Sequence, residues 1–254
     1  MKPGGHIKFT FARIINLLPV FIILSVLYLA FLQSSSDTEP DYKDIFGYDY
    51  EFALDFIERE TWMTDSLAKN GLDPDFALAI IFPELIRYSS IIDFIQVRAL
   101  EVLYVQYGND YADFSIGYFQ VKPSFAERIE SDMLKYNLDG KFPSLSALKP
   151  GLPETMESRR ERIIRIKDEH FQLLYLQAFV RTMDTLYPDL ADAPAGEKLI
   201  FYSTAYNTGY FKDEREIRDE MTMKRFYRGM DPASKKYFYS AIALSYYVSR
   251  KGYE

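Results

Sequence analysis

The 254-residue chain has no cysteine and only two histidines, His6 and His170. The first absence removes disulfide scaffolds, zinc ribbons, iron–sulfur clusters, thiol nucleophiles and lipidation at an N-terminal cysteine. The second removes multi-histidine metal sites and the HExxH zinc helix. His6 precedes an apolar run, so a Ser–His–Asp triad would have to use His170, and no GxSxG elbow is present to hold its serine. Walker A and GxGxxG patterns are missing too, which leaves nucleotide chemistry without support. No metal and no cofactor is implied. Tryptophan occurs once, whereas Tyr (21) and Phe (20) are abundant. Carbohydrate clefts have such a composition, and ordinary aromatic cores have it more often.

The net charge is −7, but it is unevenly placed. Residues 1–36 carry Lys2, Lys8 and Arg13 and no acid, which leaves −10 on the remainder. A body that acidic is a poor candidate for nucleic-acid binding. Hydrophobic residues at 48% and charged residues at 26% describe a globular chain, long enough for one large domain with a proper core.

Residues 14–32 are almost entirely apolar, broken only by Asn16, Pro19 and Ser25. As a helix this run would reach about 28 Å, close to the thickness of a bilayer core. The basic segment 1–13 places the N-terminus on the cytoplasmic side. The length and the poor Ala30-Phe31-Leu32 cleavage site favour an uncleaved signal anchor over a signal peptide. Either way the body is exported, to the cell envelope or periplasm. Residues 33–45 read as a polar linker, and 46–254 as one folded domain.

That domain reads as mainly α. Helical spacing covers Tyr48–Asn70, ended by Gly71. Asp73-Pro74 opens a second helix with an N-cap and a proline at its first position. Further helices are expected over Ser90–Val105, Ser124–Tyr136, Thr155–Leu186, Gly196–Thr204 and Lys235–Arg250. Tyr107–Ala112 is a break, and Asn137–Glu154 reads as a loop. At most a small β-hairpin is expected, near residues 108–120. In Ser158–Lys167 the basic residues Arg159, Arg162 and Lys167 are expected on a solvated helix face, opposite Ile163, Ile166 and Leu173.

The second helix carries the first candidate for chemistry. Phe76, Ile80 and Glu84 share one face at i, i+4 and i+8. Glu84 therefore extends an apolar stripe at the C-terminal end of a core helix. Desolvation and the negative end of the helix dipole both favour its protonated form. Cleavage of a glycosidic bond needs such an acid, because the leaving oxygen must receive a proton. A lone glutamate of this kind is more often solvated or paired, here with Arg87. Pro83 cannot donate to the Ala79 carbonyl, which predicts a kink just before Glu84.

Three ordered segments give this glutamate company. Asp73–Glu84 (DPDFALAIIFPE), Ser115–Ser124 (SIGYFQVKPS) and Ala205–Gly209 (AYNTG) together resemble the soluble lytic transglycosylase family, over roughly residues 70–250. They are similar to that family's Asp-Pro helix ending in a catalytic glutamate, its Gly-Leu-Met-Gln-x-x-Pro cleft segment and its Ala-Tyr-Asn-x-Gly motif. The resemblance implies a lysozyme-like fold. It implies Glu84 as general acid and then general base, with Gln120 on the sugar and the Gly117–Phe119 backbone supporting it. Tyr206 and Asn207 would orient Glu84 or the saccharide. Tyr118, Phe119 and Tyr206 could stack on sugar faces. Departures are Leu85 where the family has a substrate-holding serine, Phe82-Pro83 before the glutamate, Tyr118-Phe119 for Leu-Met, and a longer stretch between Glu84 and Gly117.

The expected activity is cleavage of the β-1,4 bond between N-acetylmuramic acid and N-acetylglucosamine in peptidoglycan glycan strands, with 1,6-anhydro product. Two alternatives stay open. One is a hydrolytic muramidase on the same fold, which would need a second carboxylate such as Asp93, Asp110 or Asp113. The other is a non-catalytic peptidoglycan-binding scaffold of the envelope. The sequence identifies no protein partner.

Overall fold

The computed structural model describes residues 40–88, 94–149, 154–227 and 234–252. Residues 14–32 lie outside them, and among the described residues no helix is long and apolar enough to cross a membrane. The body is mainly helical, as the pattern predicts, and Tyr42–Glu254 forms one compact unit.

Three helices, α1 (Tyr42–Phe46), α2 (Tyr48–Arg59) and α3 (Thr61–Lys69), lead into the central helix α4 (Pro74–Tyr88). Asp73 caps α4, its Oδ1 accepting from the Asp75 and Phe76 N–H groups. Every residue from Phe76 to Ile86 is buried. A helix apolar on all sides must be covered on all sides. Here α2, α3, α11 (Ala195–Thr208) and α13 (Tyr239–Lys251) pack around it. Each fully buried Ile, Leu or Phe contributes about 1.5–3 kcal/mol, so α4 anchors the core.

Pro83 lies inside α4, and the helix continues through it to Tyr88. Beside the Ala79 carbonyl that Pro83 cannot serve, the Ile80 carbonyl accepts from the Tyr239 hydroxyl at 2.9 Å. This bond ties the start of α13 to α4 one turn before Glu84.

Two predicted helices each prove to be two. The Tyr48–Asn70 stretch breaks at Glu60, whose ψ of 55° leaves the helical region while its carboxylate accepts from Trp62 Nε1 at 2.9 Å. The Thr155–Leu186 stretch breaks at Asp168. That residue ends α8 (Met156–Lys167) and caps α9 (Glu169–Leu186), accepting from the His170 and Phe171 N–H groups. At Asp168 a side-chain acceptor captures backbone donors, which apolar spacing does not register.

The remaining helices are α5 (Phe94–Tyr107), α6 (Pro123–Lys135), α7 (Leu138–Lys141), α10 (Pro188–Ala191) and α12 (Glu214–Met221). A 3₁₀ segment spans Pro143–Leu148, so the expected loop at 137–154 is partly helical. The predicted C-terminal helix starts at Tyr239, later than expected, because Lys236–Tyr237 (β2) pairs antiparallel with Phe226–Tyr227 (β1). That is the two-stranded sheet among the described residues. Near the predicted hairpin there is a single antiparallel bridge, Ile116 to Val121.

Arg162 corrects the expectation of a solvated basic face. It is 2% exposed. Its guanidinium donates to Glu130 at 2.8 Å, to both oxygens of Glu154 at 2.9 and 3.0 Å, and to the Tyr104 hydroxyl at 2.6 Å. This network ties α5, α6 and α8 together. A charge with that many partners tolerates burial.

Candidate active site

Glu84 from α4, Gln120 from the turn before α6, and Tyr206 and Asn207 from the last turn of α11 line one cleft of about 200 Å3. Arg87, Asp113 and Lys122 line it too. The three segments singled out in the sequence therefore converge.

Glu84 is 3% exposed. Arg87 Nη1 donates to both its oxygens, at 2.8 and 3.1 Å. The Tyr239 hydroxyl, which donates to the Ile80 carbonyl, stands beside the same carboxyl and acts on its proton. Burial pushes the Glu84 carboxyl above its ordinary value of 4.5, while Arg87, Tyr239 and Lys122 hold it back. Removal from water is the larger effect, as the apolar stripe predicts. The site thus sets burial, which favours the Glu84 proton, against a neighbouring cation, which favours the carboxylate.

The turn carrying Gln120 is built tightly. The Ile116 and Val121 backbones exchange both hydrogen bonds at 3.0 Å. Gly117 has φ 72°, and a β-carbon there would lie 1.9 Å from Gln172 Nε2, so only glycine fits. Gln172 is buried; its Oε1 accepts from Phe119 N–H at 2.9 Å and its Nε2 donates to the Ile166 carbonyl at 3.0 Å. Gln120 adopts φ 51°, a left-handed conformation uncommon outside glycine, and its Nε2 donates to the Gly117 carbonyl at 2.8 Å. One side-chain amide behind the turn and one within it fix the wall of the cleft.

Tyr206 joins this wall to α11, its hydroxyl donating to the Phe119 carbonyl at 2.8 Å. Burial, and the charge of Glu84 when ionised, push the Tyr206 phenol well above its ordinary range, so it stays a donor. Asn207 lines the cleft one residue later. An amide there can donate to and accept from an acetamido group.

Gly117, Tyr118 and Phe119 stand behind the cleft rather than on its surface. Phe119 is 1% exposed, so its ring has no face to offer a sugar. Tyr118 packs between Phe56 and Tyr88, with ring centroids 4.3 Å from each. Their contribution is the backbone that Gln172 and Tyr206 grip. Leu85 is fully buried, so the position after the glutamate points into the core.

Of the possible second carboxylates, Asp113 lines the cleft, Asp110 is exposed in the turn after α5, and Asp93 lies outside the described residues. Asp113 is occupied locally. Its oxygens accept from the Ser124 N–H at 3.0 Å and the Ser124 hydroxyl at 2.8 Å, capping α6 from outside the helix. Among the described residues no group of three or more acidic or histidine side chains could hold a metal ion.

Sequence reasoning did not select Tyr239 or Gln172 as parts of this site. Tyr239 reaches Ile80 across 159 positions of chain, and the sequence marks it only as one of several tyrosines of the C-terminal helix. Gln172 carried one signal, an amide among the apolar residues of a long helix. No family model matches the chain, and comparison with curated proteins and with solved structures likewise gives no match.

Proposed function

We propose that this protein is a lytic transglycosylase with a lysozyme-like catalytic domain that cleaves peptidoglycan glycan strands. The supporting observation is the convergence of Glu84, Gln120 and Tyr206-Asn207, drawn from three separate segments, on one cleft. Glu84, its proton favoured by burial, protonates the glycosidic oxygen, which leaves muramic acid C1 as the 4-hydroxyl of N-acetylglucosamine. The resulting carboxylate then takes the proton of the muramic acid 6-hydroxyl as that oxygen closes on C1, giving a 1,6-anhydro ring and restoring the acid. Gln120 and Asn207 hold acetamido groups, and Tyr206 keeps the wall in place. Residues 14–32 anchor the enzyme in the membrane with its catalytic body in the periplasm.

Asp113 favours one second reading, a hydrolytic muramidase. It is a carboxylate in the same cleft as Glu84, and hydrolases of this kind pair two carboxylates. Mass spectrometry of a digest of purified sacculi separates the two. Anhydromuropeptides support the transglycosylase, and reducing muramic acid ends support the hydrolase. Intact sacculi would contradict both.

A further inference from the structure

The Glu84–Arg87 pair leaves half of the guanidinium unused. Nη1 serves both Glu84 oxygens, while Nε and Nη2 have no acceptor among the described residues. The Arg87 side chain is 21% exposed and lines the cleft, with its guanidinium carbon 4.9 Å from the centroid of the Phe226 ring. The Nε–Nη2 edge of an arginine is a planar fork that fits a carboxylate with two parallel hydrogen bonds. A half-buried guanidinium resting on an aromatic ring, with that edge open, is therefore a carboxylate-binding group next to the candidate acid.

We propose that Arg87 is a positioning residue that couples binding of a carboxylate-bearing glycan to protonation of Glu84. The inference rests on the glycan reading of the cleft. In the empty cleft Arg87 is the counter-ion of Glu84. A ligand carboxylate on the open edge of Arg87 acts on Glu84 in two ways of the same sign. It competes for the guanidinium, and it places a second negative charge beside Glu84. Both raise the proton affinity of a carboxyl already deprived of water. The acid is thereby loaded more fully when an anionic substrate has arrived. The other groups facing Glu84 do not supply this coupling. Tyr239 on α13 and Tyr206 on α11 are buried phenols held protonated. Lys122, before α6, is drawn to Asp113 at 4.0 Å and is half exposed.

Two carboxylates of peptidoglycan have this chemistry: the lactyl group of a peptide-free muramic acid, and the acids of a stem peptide. The test uses ligands that lack the scissile bond. N-Acetylglucosaminyl-N-acetylmuramic acid carries a free lactyl group, its peptide-bearing form carries only stem-peptide acids, and N,N′-diacetylchitobiose (chitobiose below) is neutral. Binding of each to the full chain and to Arg87→Gln is measured by calorimetry at pH 7 in two buffers of different ionisation enthalpy. The expected result is net proton uptake, and affinity about tenfold or more above chitobiose, for one or both carboxylate ligands, since a charge-assisted pair is worth that much. The ligand that shows it identifies the carboxylate. Arg87→Gln should lose both the preference and the uptake. If both carboxylate ligands bind without uptake, or no better than chitobiose, the coupling is overturned and the glycan reading is left standing.

A second measurement needs no ligand. The Glu84 carboxyl is titrated by ¹³C NMR, assigned by its loss in Glu84→Gln, in the parent, Arg87→Gln and Arg87→Lys. Removing the cation should move the Glu84 titration to higher pH, with Arg87→Lys between the two. Coincident curves from folded variants overturn the role of Arg87. Absence of binding by all three saccharides overturns the glycan reading, and with it the trigger. The titration then decides alone whether Arg87 governs the Glu84 proton.

Discussion

Arg87 donates through a single nitrogen to both oxygens of Glu84, three residues earlier on the same helix. The pair sits where α4 emerges from the core into the cleft, so the acid and its counter-ion are placed by one rigid element. Burial and ion pairing act on Glu84 in opposite senses, and burial is the larger.

The pH dependence follows from that balance. A carboxyl raised above 4.5 in the folded chain carries its proton at higher pH than it does unfolded. Its favourable contribution to stability is complete below 4.5 and is lost as pH rises through the folded value. The acid-dependent step declines over the same upper range. A profile of rate against pH should show a basic limb above the ordinary glutamate range. In Glu84→Gln the matching pH dependence of urea stability should be absent.

The turn behind the cleft provides a test of architecture. Gly117→Ala forces a β-carbon into the space of Gln172 at a positive φ, and should cost about 1–3 kcal/mol in urea unfolding. Gln172→Ala leaves the buried Phe119 N–H without its acceptor, at a similar cost. Because the two side chains collide, the double variant should be less destabilised than the sum of the singles. Additive values would show that Gln172 is not what excludes a side chain at Gly117.

Asp113→Ala removes the outside cap of α6, and should lower stability by about 1 kcal/mol while most sacculus-solubilising activity remains. Loss of activity at unchanged fold would assign Asp113 a chemical role and turn the reading toward hydrolysis. The same assay should show Asp110→Ala and Asp93→Ala close to the parent.

Placement in the envelope is tested by the N-terminus of the mature protein. Retention of residues 14–32, with the chain extracted from membranes only by detergent, is the expected outcome. A mature start near residues 33–37 would instead make the enzyme a soluble periplasmic one.

Much of this site was legible in the chain because its signals are local. The Asp73-Pro74 start, the apolar stripe through Phe76, Ile80 and Glu84, and the Gly117 turn each depend on residues a few positions apart. The same local reading proposed Arg87 as the partner of Glu84. What it missed is set by long-range chemistry. Arg162 reads as one more surface cation until Glu130, Glu154 and Tyr104 converge on it. Asp168 interrupts a helix through hydrogen bonds to backbone N–H groups that hydrophobic spacing does not encode. Tyr118 and Phe119 sit just before Gln120 in sequence, yet neither ring lines the cleft, because Phe119 is drawn into the core and Tyr118 packs between Phe56 and Tyr88.

The account stands on Glu84 as the acid of a glycan-cleaving cleft. The direct measurement is digestion of purified sacculi by the parent and by Glu84→Gln, followed by mass spectrometry of the soluble products. The parent should release 1,6-anhydromuropeptides, and Glu84→Gln, folded by circular dichroism, should be slower by about 10²-fold or more. Equal release by the two proteins, or sacculi left intact by the parent, would contradict it.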